Sequence, residues 1–213
     1  MAFSEFRLTI EDVSATRNYR KVFTPVSLTL QNGMSLYIEG ENGAGKTTFL
    51  RVVAGLNNIY LGNILYNDVD RKELAHTYHH NILYVGHALG LKEDLTAFEN
   101  IHAMLKIQNV QRTNEEIRSV FEMLSIPTQD RAIRFLSAGQ RRRVALSRLW
   151  LEPKTIWILD EPFTALDKRS IEILETAITE HYQKNGTVIF TSHQTPSEGV
   201  YNHHHIIESY RKE

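Results

Sequence analysis

Eight residues, Gly40-Glu41-Asn42-Gly43-Ala44-Gly45-Lys46-Thr47, constrain this chain more than any other stretch. They spell G-x-x-x-x-G-K-[ST], and their flanks matter as much as the pattern itself. Ser35-Leu36-Tyr37-Ile38-Glu39 before them reads as a strand. Thr48-Phe49-Leu50-Arg51-Val52-Val53-Ala54 after them reads as a helix, with Gly55 where a C-terminal cap would fall. In such a strand–loop–helix unit the glycines let the backbone curl until successive N–H groups point inward. The helix N-terminus adds its partial positive charge, and the result is a cradle for phosphate. Lys46 is then placed to reach terminal phosphates, and the Thr47 hydroxyl to sit on Mg²⁺. The candidate nucleotide-binding set here is Gly40, Glu41, Asn42, Gly43, Ala44, Gly45, Lys46, Thr47 and Thr48.

At 213 residues the chain is long enough for one well-filled core and too short for two large ones. Its net charge of −1 gives no overall field toward nucleic acid or anionic lipid, so no nucleic-acid partner is expected. The absence of cysteine excludes a disulfide framework and any thiolate metal site. No apolar run approaches the roughly 18 residues of a membrane span, and the first residues lack the apolar core of a signal peptide.

Alternating segments at 6–13 and 26–30 favour strands, and Gln31-Asn32-Gly33 a tight turn into the strand before the phosphate loop. Further strands are expected at 62–66 and 82–85. From about 94 to 151 the periodicity turns helical, with Thr96 and Glu99 at capping-box spacing and a second helical repeat at 115–124. A buried strand at 155–160, a long helix around 168–184 closed by Gly186, and a strand at 187–191 complete an α/β core interrupted by helices.

Asp160 ends an apolar run and should emerge at the C-terminal edge of a buried parallel strand, where α/β sheets hold their ligands. A carboxylate there, with Thr47, suits Mg²⁺. Glu161 follows at once and suits a base or orienting group for an attacking water. A third element is Leu136-Ser137-Ala138-Gly139-Gln140, in which Ser137 is a good N-cap and Gly139 permits close approach. That helix start is a candidate second anion site, and its helix is expected to run on through Trp150. Arg141-Arg142-Arg143 fan over most of this helix and read as largely solvated. His203-His204-His205 do not read as metal ligands, because three consecutive residues share no face, and His204-His205-Ile206-Ile207 reads as a terminal strand. His76, His79 and His80 read as a polar loop or helix face.

The phosphate loop, Leu136-Ser137-Ala138-Gly139-Gln140, Asp160-Glu161-Pro162, Ala165-Leu166-Asp167 and Thr191-Ser192-His193 follow the order of an ABC-transporter ATPase subunit, and the likeness covers nearly the whole chain. The resemblance implies a P-loop NTPase fold of the ABC type, with a single domain over 1–213, an N-terminal antiparallel sheet and a helical subdomain inserted at about 88–151. It implies an ATP hydrolase with ATP and Mg²⁺ as cofactors, acting as a head-to-tail ATP-sandwich dimer. In that arrangement Ser137 and Gly139, with Gln140, contact the γ-phosphate held by the second copy. Asp167 lies in the loop that crosses the interface, and His193 holds the γ-phosphate and the attacking water. The physics agrees: phosphoryl transfer needs positioning and charge neutralisation more than covalent help.

Two departures narrow the likeness. His87 stands nearest the place of a glutamine that touches metal and water in most members, which points to a coupling role. The aromatic that stacks on adenine has no direct counterpart: Arg17 and Tyr19 are the two candidates. Together with Leu95-Thr96-Ala97-Phe98-Glu99-Asn100 and Ala145-Leu146-Ser147-Arg148-Leu149-Trp150-Leu151, the chain resembles the CcmA family of cytochrome c maturation (haem exporter) ATP-binding subunits. That likeness implies integral membrane permease subunits as partners at the cytoplasmic face of the bacterial inner membrane. The alternative on architecture is a soluble non-transport ABC ATPase such as an iron–sulfur assembly scaffold.

Overall fold

The computed structural model describes residues 3–127 and 131–210. Along the chain the strands are β1 Arg7–Ser14, β2 Thr16–Arg17, β3 Arg20–Lys21, β4 Val26–Gln31, β5 Ser35–Glu39, β6 Leu61–Tyr66, β7 Val69–Asp70, β8 Ile82–Val85, β9 Ile156–Leu159, β10 Thr187–Thr191 and β11 His203–Ile206. The helices are α1 Lys46–Val53, α2 Ala75–Asn81, α3 Ala97–Ile107, α4 Asn114–Met123, α5 Ala138–Leu146, α6 Arg148–Leu151 and α7 Lys168–Gln183. An antiparallel sheet, in the order β4-β1-β6-β7, packs beside a five-stranded sheet in the order β11-β5-β10-β9-β8. Every pairing in the second sheet is parallel.

Parallel sheets bury both faces, and the side chains of this one alternate accordingly. Leu36 and Ile38 of β5, Ile156 and Ile158 of β9, and Ile189 of β10 join α1 and the antiparallel sheet in one apolar cluster. Tyr37, Trp157, Leu159, Val188 and Phe190 point the other way, onto α5 and α7. A third cluster, from Ala97 and Ile101 through Phe121 to Val144 and Leu151, holds α3–α6 together, and Trp150 touches both it and the second cluster.

Local chemistry sets the helix ends. Thr96 with Glu99, Thr113 with Glu116, and Ser137 with Gln140 each form a reciprocal capping box. Helix α1 begins two residues earlier than its apolar periodicity suggests, at Lys46. It ends in paired bonds from Leu56 N–H to Arg51 O and from Gly55 N–H to Val52 O, which satisfy its last carbonyls. The helix expected to run unbroken from Ala138 to Trp150 instead breaks at Ser147. The buried Ser147 hydroxyl donates to Val144 O at 2.7 Å, competing with the helical ladder and bending it. The triple histidine lies in β11, the outer strand beside β5, and among the described residues no group of three or more His, Cys, Asp or Glu side chains is arranged to hold a metal. His76, His79 and His80 lie on α2. Also among the described residues, no helix is long and apolar enough to cross a membrane.

Candidate nucleotide site

The C-terminal ends of β5, β9 and β10 lie side by side, so the residues that follow each strand meet at one edge of the parallel sheet. The loop after β5 leads into α1 through Gly45, whose φ of 102° is left-handed. A Cβ there would lie 2.7 Å from Val22, so only glycine fits. Lys46 is buried within this turn, and its ammonium donates to Gly40 O at 2.7 Å and Glu41 O at 3.2 Å. The charge is thereby held inside the loop that would cradle phosphate.

From β9 comes Asp160, 1% exposed. Its Oδ1 accepts from the Thr47 hydroxyl at 3.0 Å and from the Thr191 hydroxyl at 3.1 Å. Its Oδ2 is buried and has no hydrogen-bond partner among the described residues. An orphaned buried carboxylate oxygen is costly, and a divalent cation is the direct remedy. Hydroxyl and carboxylate oxygens are hard donors of the kind Mg²⁺ selects, so Thr47 and Asp160 fit that ion.

Glu161 adopts a left-handed φ of 53°, uncommon outside glycine. Its N–H donates to Thr191 Oγ1 at 2.9 Å, so Thr191 links the backbone of one acid to the side chain of the other. Burial pushes the Glu161 carboxyl above the ordinary carboxylate range, against the pull of His193 and Lys46, while Asp160 pushes in the same direction as burial. His193, following β10, places Nε2 at 3.6 Å from Glu161 Oε1 and remains more than half exposed.

These groups line one cleft of about 430 Å³: Asn42, Gly43, Gly45, Lys46, Thr47 and Thr48 from the loop, with Asp160, Glu161 and His193. Arg17 and His87 line it as well. Arg17 gets there on the β2–β3 hairpin, a two-residue turn at Asn18 and Tyr19 with φ of 50° and 61°. Tyr19 sits at the tip, fully exposed, so of the two candidates Arg17 is the one facing the cleft. Gly40, Glu41 and Ala44 line a different cavity behind the loop, with Ile207 and Glu208.

Ser137, Gly139, Gln140 and Asp167 are not among the residues lining the cleft. The Ser137 hydroxyl and the Gln140 side chain are engaged with each other's backbone N–H at 3.1 and 2.8 Å. A Cβ on Gly139 would lie 2.6 Å from Ala165 O, so the close approach this glycine permits is to its own chain. Asp167 caps α7 by accepting from Ser170 N–H at 2.8 Å; hydrogen bonds from the Ser170 side chain and then from its N–H hold the Asp167 carboxyl below the usual range, and Arg143 lies 3.5 Å away.

The reading of Arg141–Arg143 as largely solvated is wrong for Arg143, whose side chain is 13% exposed, and for Arg142, which is buried. Its guanidinium spans the carbonyls of Gly86, Asp160, Glu161 and Pro162. Sequence reasoning missed it, because a helix apolar on two sides leaves no face for a long cation to escape.

Residues 23–164 match the ABC transporter family. The cytochrome c biogenesis ATP-binding export protein CcmA of Haemophilus influenzae is 38% identical over 193 residues, covering 90% of this chain and 91% of that one. The protein of the same name from Vibrio cholerae is 41% identical over 191 residues, covering 88% and 91%. Among solved structures, an ABC transporter ATP-binding protein from Pyrococcus furiosus matches with a TM-score of 0.82 at 24% identity, over 96% of this chain and 100% of that one. A dimeric post-hydrolysis ATP-binding cassette bound to ADP and phosphate matches with a TM-score of 0.79 at 22% identity, over 94% of each. At those identities the structural likeness is one of fold. The sequence matches go further: this chain belongs to the ABC transporter family of ATPases, in the branch of the cytochrome c biogenesis ATP-binding export proteins.

Proposed function

We propose that this ABC ATPase is the ATP-hydrolysing subunit of a cytochrome c maturation exporter. It works at the cytoplasmic face of the bacterial inner membrane, against integral membrane permease subunits. The observation that carries this reading is identity of 38% and 41% to two such proteins, sustained over 90% and 88% of the chain. A shared phosphate loop alone would give only the superfamily. An iron–sulfur assembly scaffold has no such support.

Within the chain, the loop from Gly40 to Thr48 and Lys46 take the phosphates. Lys46 exchanges its bonds to the Gly40 and Glu41 carbonyls for phosphate oxygens. Thr47 and Asp160 would hold Mg²⁺, which supplies charge neutralisation on the transferring phosphoryl group. Glu161 polarises the attacking water, its raised proton affinity making it a better acceptor than a solvated carboxylate. His193 orients the γ-phosphate from the mouth of the cleft. Arg17 stacks on the base, and His87 relays the state of the cleft toward the membrane partners.

The cleft is open above the loop, and the Ser137 helix start lies outside it. We therefore read the active form as a head-to-tail dimer in which Ser137, Gly139 and Gln140 of one copy close over the triphosphate of the other, with Asp167 at the junction. The α3–α6 cluster serves as the helical subdomain of a single ABC domain.

The test is complementation of a bacterium deleted for its own cytochrome c biogenesis ATP-binding protein. The wild-type chain should restore covalently haem-bearing c-type cytochromes, read by haem staining, and Lys46→Ala should not. Failure of the wild-type chain to restore them while its purified form hydrolyses ATP would sink the exporter assignment and leave the ATPase standing.

A further inference from the structure

Of the charged side chains that the proposed chemistry leaves unused, Arg142 is the most fully committed. It is 5% exposed, and each of its three guanidinium nitrogens donates to main-chain carbonyls. Nη1 donates to Gly86 O at 2.8 Å, Nη2 to Asp160 O at 2.9 Å and Glu161 O at 2.7 Å, and Nε to Pro162 O at 3.3 Å. Among the described residues no carboxylate oxygen lies within 4 Å of this guanidinium, so it is not one half of an ion pair. Burying a cation only to fill space is wasteful, since an aliphatic side chain fills the same volume without desolvation. A rigid planar fork with five donors has a different use: it fixes several acceptors in one relative geometry.

Those acceptors are telling. Three are the carbonyls of consecutive residues 160–162, around the left-handed turn at Glu161. An uncommon backbone conformation persists only where its surroundings over-determine it. On the amino side the Glu161 N–H is held by Thr191 Oγ1, and on the carboxyl side its carbonyl is held by Arg142. The fourth acceptor, Gly86 O, precedes His87 at the cleft wall. Arg142 itself rides on α5, the helix capped by Ser137.

We infer that Arg142 is a positioning residue for ATP hydrolysis, whose guanidinium holds the Glu161 turn in the geometry that presents the carboxylate to the cleft and ties that turn to the helix beginning at Ser137. The inference rests on the reading of Glu161 as the group that polarises water.

The experiment is a double-mutant cycle on the full chain with R142Q, E161Q and the double variant, with R142K alongside. Each is measured for thermal unfolding, nucleotide affinity and kcat. R142Q should lower kcat about tenfold or more and leave ATP affinity within about twofold, while R142K, with fewer donors, should recover part of the loss. In the E161Q background R142Q should cost nothing further, because both changes act through one carboxylate; a purely structural residue would be additive there. Wild-type kcat in R142Q with E161Q inactive overturns the inference alone. Wild-type turnover in E161Q overturns the reading of Glu161 instead. Additive losses, affinity losses that track kcat, or failure of both Arg142 variants to fold would make Arg142 a structural residue and end the proposal.

Discussion

The Thr47 hydroxyl donates to Asp160 Oδ1 across 113 positions of chain, at 3.0 Å, while the other oxygen of that carboxylate is buried without a partner. A charge held in this way destabilises the empty protein and is relieved by a cation. Asp160→Asn should therefore separate folding from function. Its kcat with MgATP should fall about 100-fold or more, because the ion's neutralising charge is lost. Its melting temperature in chelator should match or exceed that of the wild type. A variant that melts well below wild type in chelator would show that the Asp160 charge stabilises the protein without a cation, contrary to this account.

Glu161 makes a prediction about pH. Burial raises its proton affinity, so the acid limb of kcat should fall at a pH above the ordinary carboxylate range. Glu161→Gln should remove turnover, by roughly two to three orders of magnitude, and keep ATP bound. The linkage runs the other way for folding. With its folded pKa raised, Glu161 contributes stability below its unfolded pKa, and that contribution is lost as pH rises through the folded value. Glu161→Gln should thus be at least as stable as wild type at neutral pH. Equal urea midpoints at acid pH alongside a lower midpoint at neutral pH would contradict the assignment of burial as the cause.

In the proposed dimer, Gly139 is a glycine for close approach to phosphate. The contact with Ala165 O gives it a second reason, one that lies within its own chain. Gly139→Ala would gain up to about 1 kcal/mol in helix propensity, yet a Cβ 2.6 Å from a backbone oxygen forces a shift costing about 1–3 kcal/mol. Overlap should win, and the nucleotide-free variant should unfold at lower urea concentration. An unchanged or higher midpoint would mean that the helix start moves aside freely, and the glycine would then answer only to its partner across the dimer.

What could be read from the residues alone follows from how local the cause is. The phosphate loop and the Thr96–Glu99 box depend on neighbours a few positions away, and each is legible in spacing. Arg142 is not, since a run of three arginines looks solvated until two apolar clusters close on the helix that bears it. The placement of Arg17 and Tyr19 is illegible for a similar reason: a two-residue turn sends one into the cleft and the other to the tip, and the turn's handedness is set by backbone φ at Asn18 and Tyr19. The break at Ser147 needs a buried hydroxyl with nowhere else to donate.

His181 carries a last prediction, on stability. Its ring stacks on Trp157 with centroids 3.7 Å apart, and Nε2 lies 3.0 Å from Thr155 O, which makes that nitrogen the N–H donor of a neutral imidazole. Burial lowers its pKa from 6.5 to about 4, opposed by the bond to Thr155 and aided by Lys184. Between those two values the unfolded chain binds the extra proton, so stability rises with pH through this window and is lost as pH falls. At pH 5 the loss relative to pH 7.5 should be about 2 kcal/mol from this group alone. Other groups titrate over the same range, so the quantity to measure is a difference of differences: urea unfolding of wild type and His181→Phe at both pH values. The variant lacks the bond to Thr155 and should be weaker at pH 7.5, but its fall on acidification should be smaller than that of wild type by about that amount. Identical acid sensitivity in the two proteins would mean that the folded chain binds the imidazole proton as readily as the unfolded one, and burial would then not be lowering its pKa.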